Sequence, residues 1–188
     1  MKPSYYTKII IIFIPFLIIA YLLLTDVFFD KRPIAPPEEF RVVKVHDGDT
    51  VSIKTKGYFG KKTDIERVRL IGIDTPELKQ EPWGRRSTRH LKKVLSESDW
   101  VVRVELDVRQ RDKYGRPLAY LWDKKGRLIN EKMIRDGYAL VYTIPPNVKY
   151  AERFKIAQEN ARRQNAGFWK EGGLRKSPKE WRRENPRQ

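Results

Sequence analysis

Ile65-Glu66-Arg67-Val68-Arg69-Leu70-Ile71-Gly72-Ile73-Asp74-Thr75-Pro76-Glu77 reads as a strand that runs into a turn. The pattern alternates from Ile65 to Ile73, with Val68, Leu70 and Gly72 on the face opposite Arg69, Ile71 and Ile73. Pro76 then forces the turn. Upstream, Phe40-Arg41-Val42-Val43-Lys44-Val45 alternates toward a strand, and Thr50-Val51-Ser52-Ile53 continues after the turn Asp47-Gly48-Asp49. Downstream, residues 100–108 put Val102, Val104 and Leu106 on one face. Asp112-Lys113-Tyr114-Gly115-Arg116 makes another turn before a short apolar run over residues 117–122. Helical spacing lies between and after these strands. Residues 85–96 carry Leu91, Val94 and Leu95. Asn130 is placed to cap a helix over 131–136 that Gly137 stops. Residues 149–165 align Phe154, Ala157 and Ala161, ending at Gly167. Five short strands in this order predict a small closed or partly open barrel rather than a parallel βαβ sheet.

Composition narrows the chemistry. Lys and Arg number 40 against 24 Asp and Glu, a formal net charge of +16 in 188 residues. That balance points to an anionic partner, either nucleic acid or an anionic membrane surface. The chain has no cysteine, which excludes disulfides and thiolate metal sites. With only His46 and His90, a histidine-rich zinc site is disfavoured as well. His46 is read as a strand residue rather than a base.

The first 29 residues read as an N-terminal signal-anchor or signal peptide. Residues 9–24 carry no charge and are nearly all Ile, Leu and Phe; Lys2 and Lys8 precede them. The run is just short of the ~20 residues that span a bilayer core, and Val27-Phe28-Phe29 extends it past Thr25-Asp26. No A-x-A cleavage pattern follows, so an uncleaved anchor is expected, single-pass, with the domain outside the cytoplasm; cleavage would make the protein secreted. Residues 30–39, with Pro33, Pro36 and Pro37, form a semi-stiff linker. The globular domain covers 40–170. Residues 171–188 form a basic tail, disordered or holding a short helix, that either grips phosphates or is simply solvated.

The turns carry the candidate chemistry. Asp49 and Asp74 each lie at a strand end beside a turn-forcing residue. Two converging carboxylates repel unless a cation neutralises them. An oxygen-only set favours Ca²⁺ or Mg²⁺, with most of the shell left to water and substrate. Alone, Asp-Gly-Asp is only a good turn. Glu77 is placed to orient or deprotonate a water. Arg69 and Arg116 suit the phosphoryl oxygens, because a guanidinium stays charged and forks onto two of them. Arg69 has a plainer alternative, pairing with Glu66 or Asp64 on the surface. Tyr114 and Tyr142 suit stacking on a nucleotide or plain packing.

Taken together, Val45-His46-Asp47-Gly48-Asp49-Thr50-Val51, Arg69 to Glu77, Asp112 to Tyr120 and the segment from Asn130 to Tyr142 resemble the thermonuclease (staphylococcal nuclease-like) family. The resemblance covers about residues 40–169. It implies an α+β, mainly β, fold: a five-stranded OB-fold Greek-key barrel with three helices. It also implies an endonuclease that hydrolyses DNA and RNA with Ca²⁺ and leaves 3′-phosphate ends. By motif position, the resemblance gives Asp49 and Asp74 to the Ca²⁺ through their carboxylates and Thr75 through its backbone carbonyl. It makes Glu77 the general base or water-orienting group, and Arg69 and Arg116 the phosphate ligands. Lys113, Tyr114 and Tyr142 would contact substrate. No obligate protein partner is evident. Two rival readings stand beside the enzyme: a non-catalytic nucleic-acid-binding module on the same fold at the membrane surface, and a DNA-capture protein there.

Overall fold

The computed structural model describes residues 38–59 and 64–186. The predicted anchor and most of the linker lie outside these residues. Among the described residues no helix is long and apolar enough to cross a membrane.

Five strands close a barrel in the order β1–β2–β3–β6–β5. They are β1 (Glu39–Val45), β2 (Thr50–Lys54), β3 (Ile65–Leu70), β5 (Val101–Arg111) and β6 (Pro117–Trp122). All neighbours are antiparallel except β3 and β6, which pair parallel through Arg69–Leu118 and Leu70–Ala119. The barrel is OB-like. Strand alternation fills it: Phe40, Val42, Val51, Ile53, Val68, Leu70, Val102 and Leu121 are all buried. Burying such a side chain contributes about 1.5–3 kcal/mol. A bulge in β1 sets Val43 outside the pairing and leaves it exposed, so the alternation expected across Val42-Val43-Lys44 breaks there.

The decisive stretch is two strands, not one. β3 stops at Leu70, and β4 (Gly72–Asp74) pairs with β7 (Leu140–Tyr142) in a separate two-stranded sheet. Gly72 makes the break, at φ +77°, and a Cβ there would lie 2.3 Å from the Phe154 ring. Ile71 and Ile73 are therefore both buried, although alternation placed them on the face away from Val68 and Leu70.

Four α-helices are present among the described residues, where the resemblance implied three: α1 (Trp83–Ser96), α2 (Ile129–Arg135), α3 (Ala151–Arg163) and α4 (Pro178–Glu184). A 3₁₀ turn, Gly167–Glu171, follows α3. The apolar stripe Phe154, Ala157 and Ala161 is buried as its spacing predicted. Asn130 is not the cap of α2. Leu128 holds that position, and Asn130 is fully buried inside the first turn. Its amide nitrogen donates to the carbonyls of Ile71 (2.8 Å) and Ala119 (3.3 Å), and its oxygen accepts from the Leu121 N–H (2.9 Å). The side chain satisfies backbone left unpaired where β3 gives way to β4, a stronger demand than an exposed helix end. The tail is ordered where it holds α4: Ser177 and Glu180 form a reciprocal capping box and Pro178 begins the helix.

Candidate active site

A cleft of about 730 Å³ opens beside the barrel where the turns meet. Its lining includes Asp49, Arg69, Glu77, Lys113, Tyr114, Arg116 and Tyr142. Turns that are far apart in the chain are thus brought to one place.

Two turns deliver the carboxylates. Gly48 lets the first approach the second: a Cβ there would meet Thr75 at 2.8 Å and Ser87 at 2.9 Å. Asp49 turns inward, where its Oδ2 accepts the Thr75 N–H at 3.0 Å and the Thr75 hydroxyl at 2.8 Å. Thr75 thereby locks one carboxylate to the turn that carries the other. Arg69 lies between them. It forms an ion pair with Asp49 and donates through Nη2 to Asp74 Oδ1 at 3.3 Å and to the Ile73 carbonyl at 3.1 Å. Of the two alternative partners named for it, Glu66 is taken elsewhere: buried, it accepts two hydrogen bonds of 3.1 Å from Arg111. Asp49 and Asp74 are both buried, 6% and 3% exposed, and each is paired with the Arg69 guanidinium.

Asp47 is a third carboxylate at this end of the cleft, and its Oδ1 accepts the Asp49 N–H at 3.0 Å. Burial and the neighbouring Asp49 charge push its carboxyl up to about 6. Sequence reasoning treated Asp47 only as part of a turn.

Arg116 comes from the turn between β5 and β6. Asp112 holds it: Oδ1 accepts the N–H groups of Tyr114 (2.9 Å) and Arg116 (3.0 Å), and Oδ2 accepts Arg116 Nε at 2.7 Å. Burial opposes the charged form of Asp112, but these hydrogen bonds outweigh it and hold the carboxyl below its ordinary value. Arg116 itself lines the cleft. Tyr114 is 70% exposed, with the Lys113 ammonium 5.1 Å and the Arg116 guanidinium 5.5 Å from its ring centre. It is an open face flanked by two cations. Tyr142 ends β7 opposite Gly72. His46 lies outside this group, its Nε2 paired with Ser52 Oγ at 2.8 Å.

One site residue has no precedent in the motifs. Arg182 of α4 donates through Nη1 to Asp74 Oδ1 (3.0 Å) and Glu77 Oε1 (2.9 Å), and through Nη2 to Asp74 Oδ2 (2.8 Å). Trp181 and Asn185 of the same segment line the cleft. The tail reads as disordered or holding a short helix; the capping-box signature Ser177-Pro178-Lys179-Glu180 is the signal for that helix, but nothing in the sequence says where its arginine lands.

The donor set suits a hard cation. Asp49 and Asp74 offer oxygen alone, joined through Arg69, and among the described residues no group of three or more His, Cys, Asp or Glu side chains is placed to hold a metal ion. Such a pair leaves most of a six-to-eight-donor shell to water and phosphate.

The family model for "Staphylococcal nuclease homologue" matches residues 67–171. The thermonuclease of Staphylococcus hyicus is 34% identical over 140 residues, which cover 72% of this chain and 78% of that one. The thermonuclease of Staphylococcus intermedius is 37% identical over 137 residues, covering 70% and 76%. Endonuclease YncB of Bacillus subtilis (strain 168) is 32% identical over 134 residues, covering 68% and 59%. A buried carboxylate pair, arginines on a shared cleft and these relatives lead to one conclusion: the chain belongs to the family of staphylococcal nuclease homologues and is a nuclease, a hydrolase of phosphodiester bonds.

Proposed function

We propose that the protein is a Ca²⁺-dependent endonuclease acting on DNA and RNA, tethered to the membrane by its N-terminal segment with the nuclease domain outside the cytoplasm. The observation that carries the catalytic part is that Asp49, Arg69, Glu77 and Arg116 line one cleft, with Asp74 bonded to Arg69 just behind its wall. In this reading Asp49 and Asp74, with the Thr75 carbonyl, hold the cation. A bound Ca²⁺ supplies charge neutralisation at the phosphoryl oxygens and a template for the reacting groups. The remaining work falls to the chain. Arg69 and Arg116 bind the scissile phosphate and stabilise the charge that grows on its oxygens. Glu77 orients the attacking water and accepts its proton. Lys113 contacts the flanking phosphate, and Tyr114 and Tyr142 contact the nucleotide, Tyr114 through its exposed ring. The 2′-hydroxyl is not required by any of these contacts, which supports action on both DNA and RNA.

The test is cleavage of single-stranded DNA and of RNA by the full-length chain, with Ca²⁺ or with a chelator. Ca²⁺-dependent cleavage of both is expected. Binding without cleavage would favour the non-catalytic module. The tether is tested by cell fractionation: the protein should stay with membranes in high salt, and its release into the wash would contradict an integral anchor.

A further inference from the structure

Helix α4 places an arginine on the carboxylates assigned to the cation. Arg182 forks across both oxygens of Asp74 and reaches Glu77 with the same Nη1, all within 3.0 Å. Asp74 is 3% exposed, so no bulk water shares this contact. We propose that Arg182 is an internal competitor for the divalent cation: α4 clasps Asp74 and Glu77, and cation binding at Asp74 requires that the clasp be released. This inference rests on the Ca²⁺-dependent reading above.

The chemistry makes the two states exclusive. A bidentate guanidinium uses the same carboxylate lone pairs that a cation ligand must offer. With Arg69 already on Asp74 Oδ1, a second guanidinium adds to the positive charge that a divalent cation must meet at this buried carboxylate, where little water screens it. Arg69 still donates to Asp74 Oδ1, so part of the carboxylate's charge stays paired when Arg182 departs.

The build of α4 suits release. It has seven residues, of which Pro178 is the buried one. Near it, Gln80 Nε2 donates to the Lys176 carbonyl at 2.7 Å. The capping box is internal to the segment, so α4 keeps its own helix start when Arg182 lets go. The family match ends at residue 171, so the clasp comes from chain beyond the matched nuclease region. Release would free Asp74 and Glu77 from Arg182 together, coupling cation entry to the readiness of the general base. Coupling of this kind is reciprocal: what α4 costs the cation, the cation costs α4.

The experiment is calorimetric titration of the full-length chain with Ca²⁺, for the natural sequence and for Arg182→Ala, Arg182→Lys and Arg183→Ala. Arg183 is exposed and touches no cleft carboxylate, so it controls for a general loss of positive charge. Arg182→Ala should bind Ca²⁺ more tightly, within the about 5–150-fold range usual for coupled sites. Arg182→Lys should fall between, and Arg183→Ala should match the natural chain. Hydrogen exchange supplies a second readout. The amide of Asn185, bonded to the Trp181 carbonyl at the far end of α4, should exchange faster when Ca²⁺ is added. Equal affinity in Arg182→Ala, equal tightening in Arg183→Ala, or unchanged exchange in α4 would each overturn the competitor while leaving a Ca²⁺-dependent nuclease intact. If no form binds Ca²⁺ and chelator leaves cleavage untouched, the cation reading itself fails and the competitor with it.

Discussion

Arg69 lies between two buried carboxylates and is itself largely enclosed, with Asp49, Asp74 and Asp47 together holding its guanidinium charged against the cost of burial. A residue so placed organises the site, beyond the phosphate contact proposed for it. Glu77 differs, because its partner Arg182 comes from a separate element. Glu77→Gln keeps the shape and removes the basic oxygen, so turnover should collapse while nucleotide binding changes little; equal turnover would show that Glu77 is not the base. Arg116→Ala should lower kcat by about 10²–10³-fold, the usual cost of removing one donor to a developing oxyanion. Asp112 acts through Arg116, and its effect has a pH signature. Its carboxyl lies below the ordinary value in the folded chain, so its stabilisation is complete above the unfolded value of about 4 and is lost as pH falls through the lowered one. Denaturant titrations should therefore show Asp112→Asn less stable than the natural chain at pH 6, with the gap closing below about pH 4. A gap that widens in acid would reverse the assignment.

At the level of elements, the chain builds one turn twice. Asp112-Lys113-Tyr114-Gly115-Arg116 and Asp123-Lys124-Lys125-Gly126-Arg127 share spacing and hydrogen bonds. In both, aspartate Oδ1 accepts the N–H groups two and four residues on, and Oδ2 accepts the arginine Nε. Arg116 opens onto the cleft, whereas Arg127 turns to Glu97 at 3.2 Å. The motif fixes how an arginine is presented, and the barrel decides to what. This is why the turns, most strands and the α3 stripe were legible from spacing, while the pairing of Arg69 and the landing place of Arg182 were not. The split at Gly72 was hidden for a related reason: alternation cannot tell a continuous strand from two strands separated by a break at a glycine. Gly72→Ala should cost about 2–4 kcal/mol in urea unfolding, from the positive φ and the collision with Phe154. Asn130→Ala should cost about 1–3 kcal/mol by stranding the Ile71 carbonyl and the Leu121 N–H. Neutral results at both positions would contradict the account of how β3, β4 and α2 meet.

At the scale of the whole molecule, a formal charge of +16 makes attraction to nucleic acid long-ranged and salt-dependent. Binding of single-stranded DNA should weaken linearly in log–log salt titrations. Lys113→Ala should reduce the slope by about 0.7, one phosphate contact on a single strand, and an unchanged slope would remove Lys113 from the interface. Composition made the anionic partner legible, and three ordered motifs made the nuclease legible. The tail was not: its basic content reads equally as a phosphate grip, yet Arg182 is turned onto the site's own carboxylates. The central claim is that Asp49 and Asp74 serve a cation on which phosphodiester hydrolysis depends. The most direct measurement is the rate of single-stranded DNA cleavage by the full-length chain in Ca²⁺ and in chelator, beside Asp49→Asn under the same conditions. Cleavage should appear with Ca²⁺, vanish in chelator and fall sharply in Asp49→Asn; undiminished cleavage in chelator, or by Asp49→Asn, would contradict it.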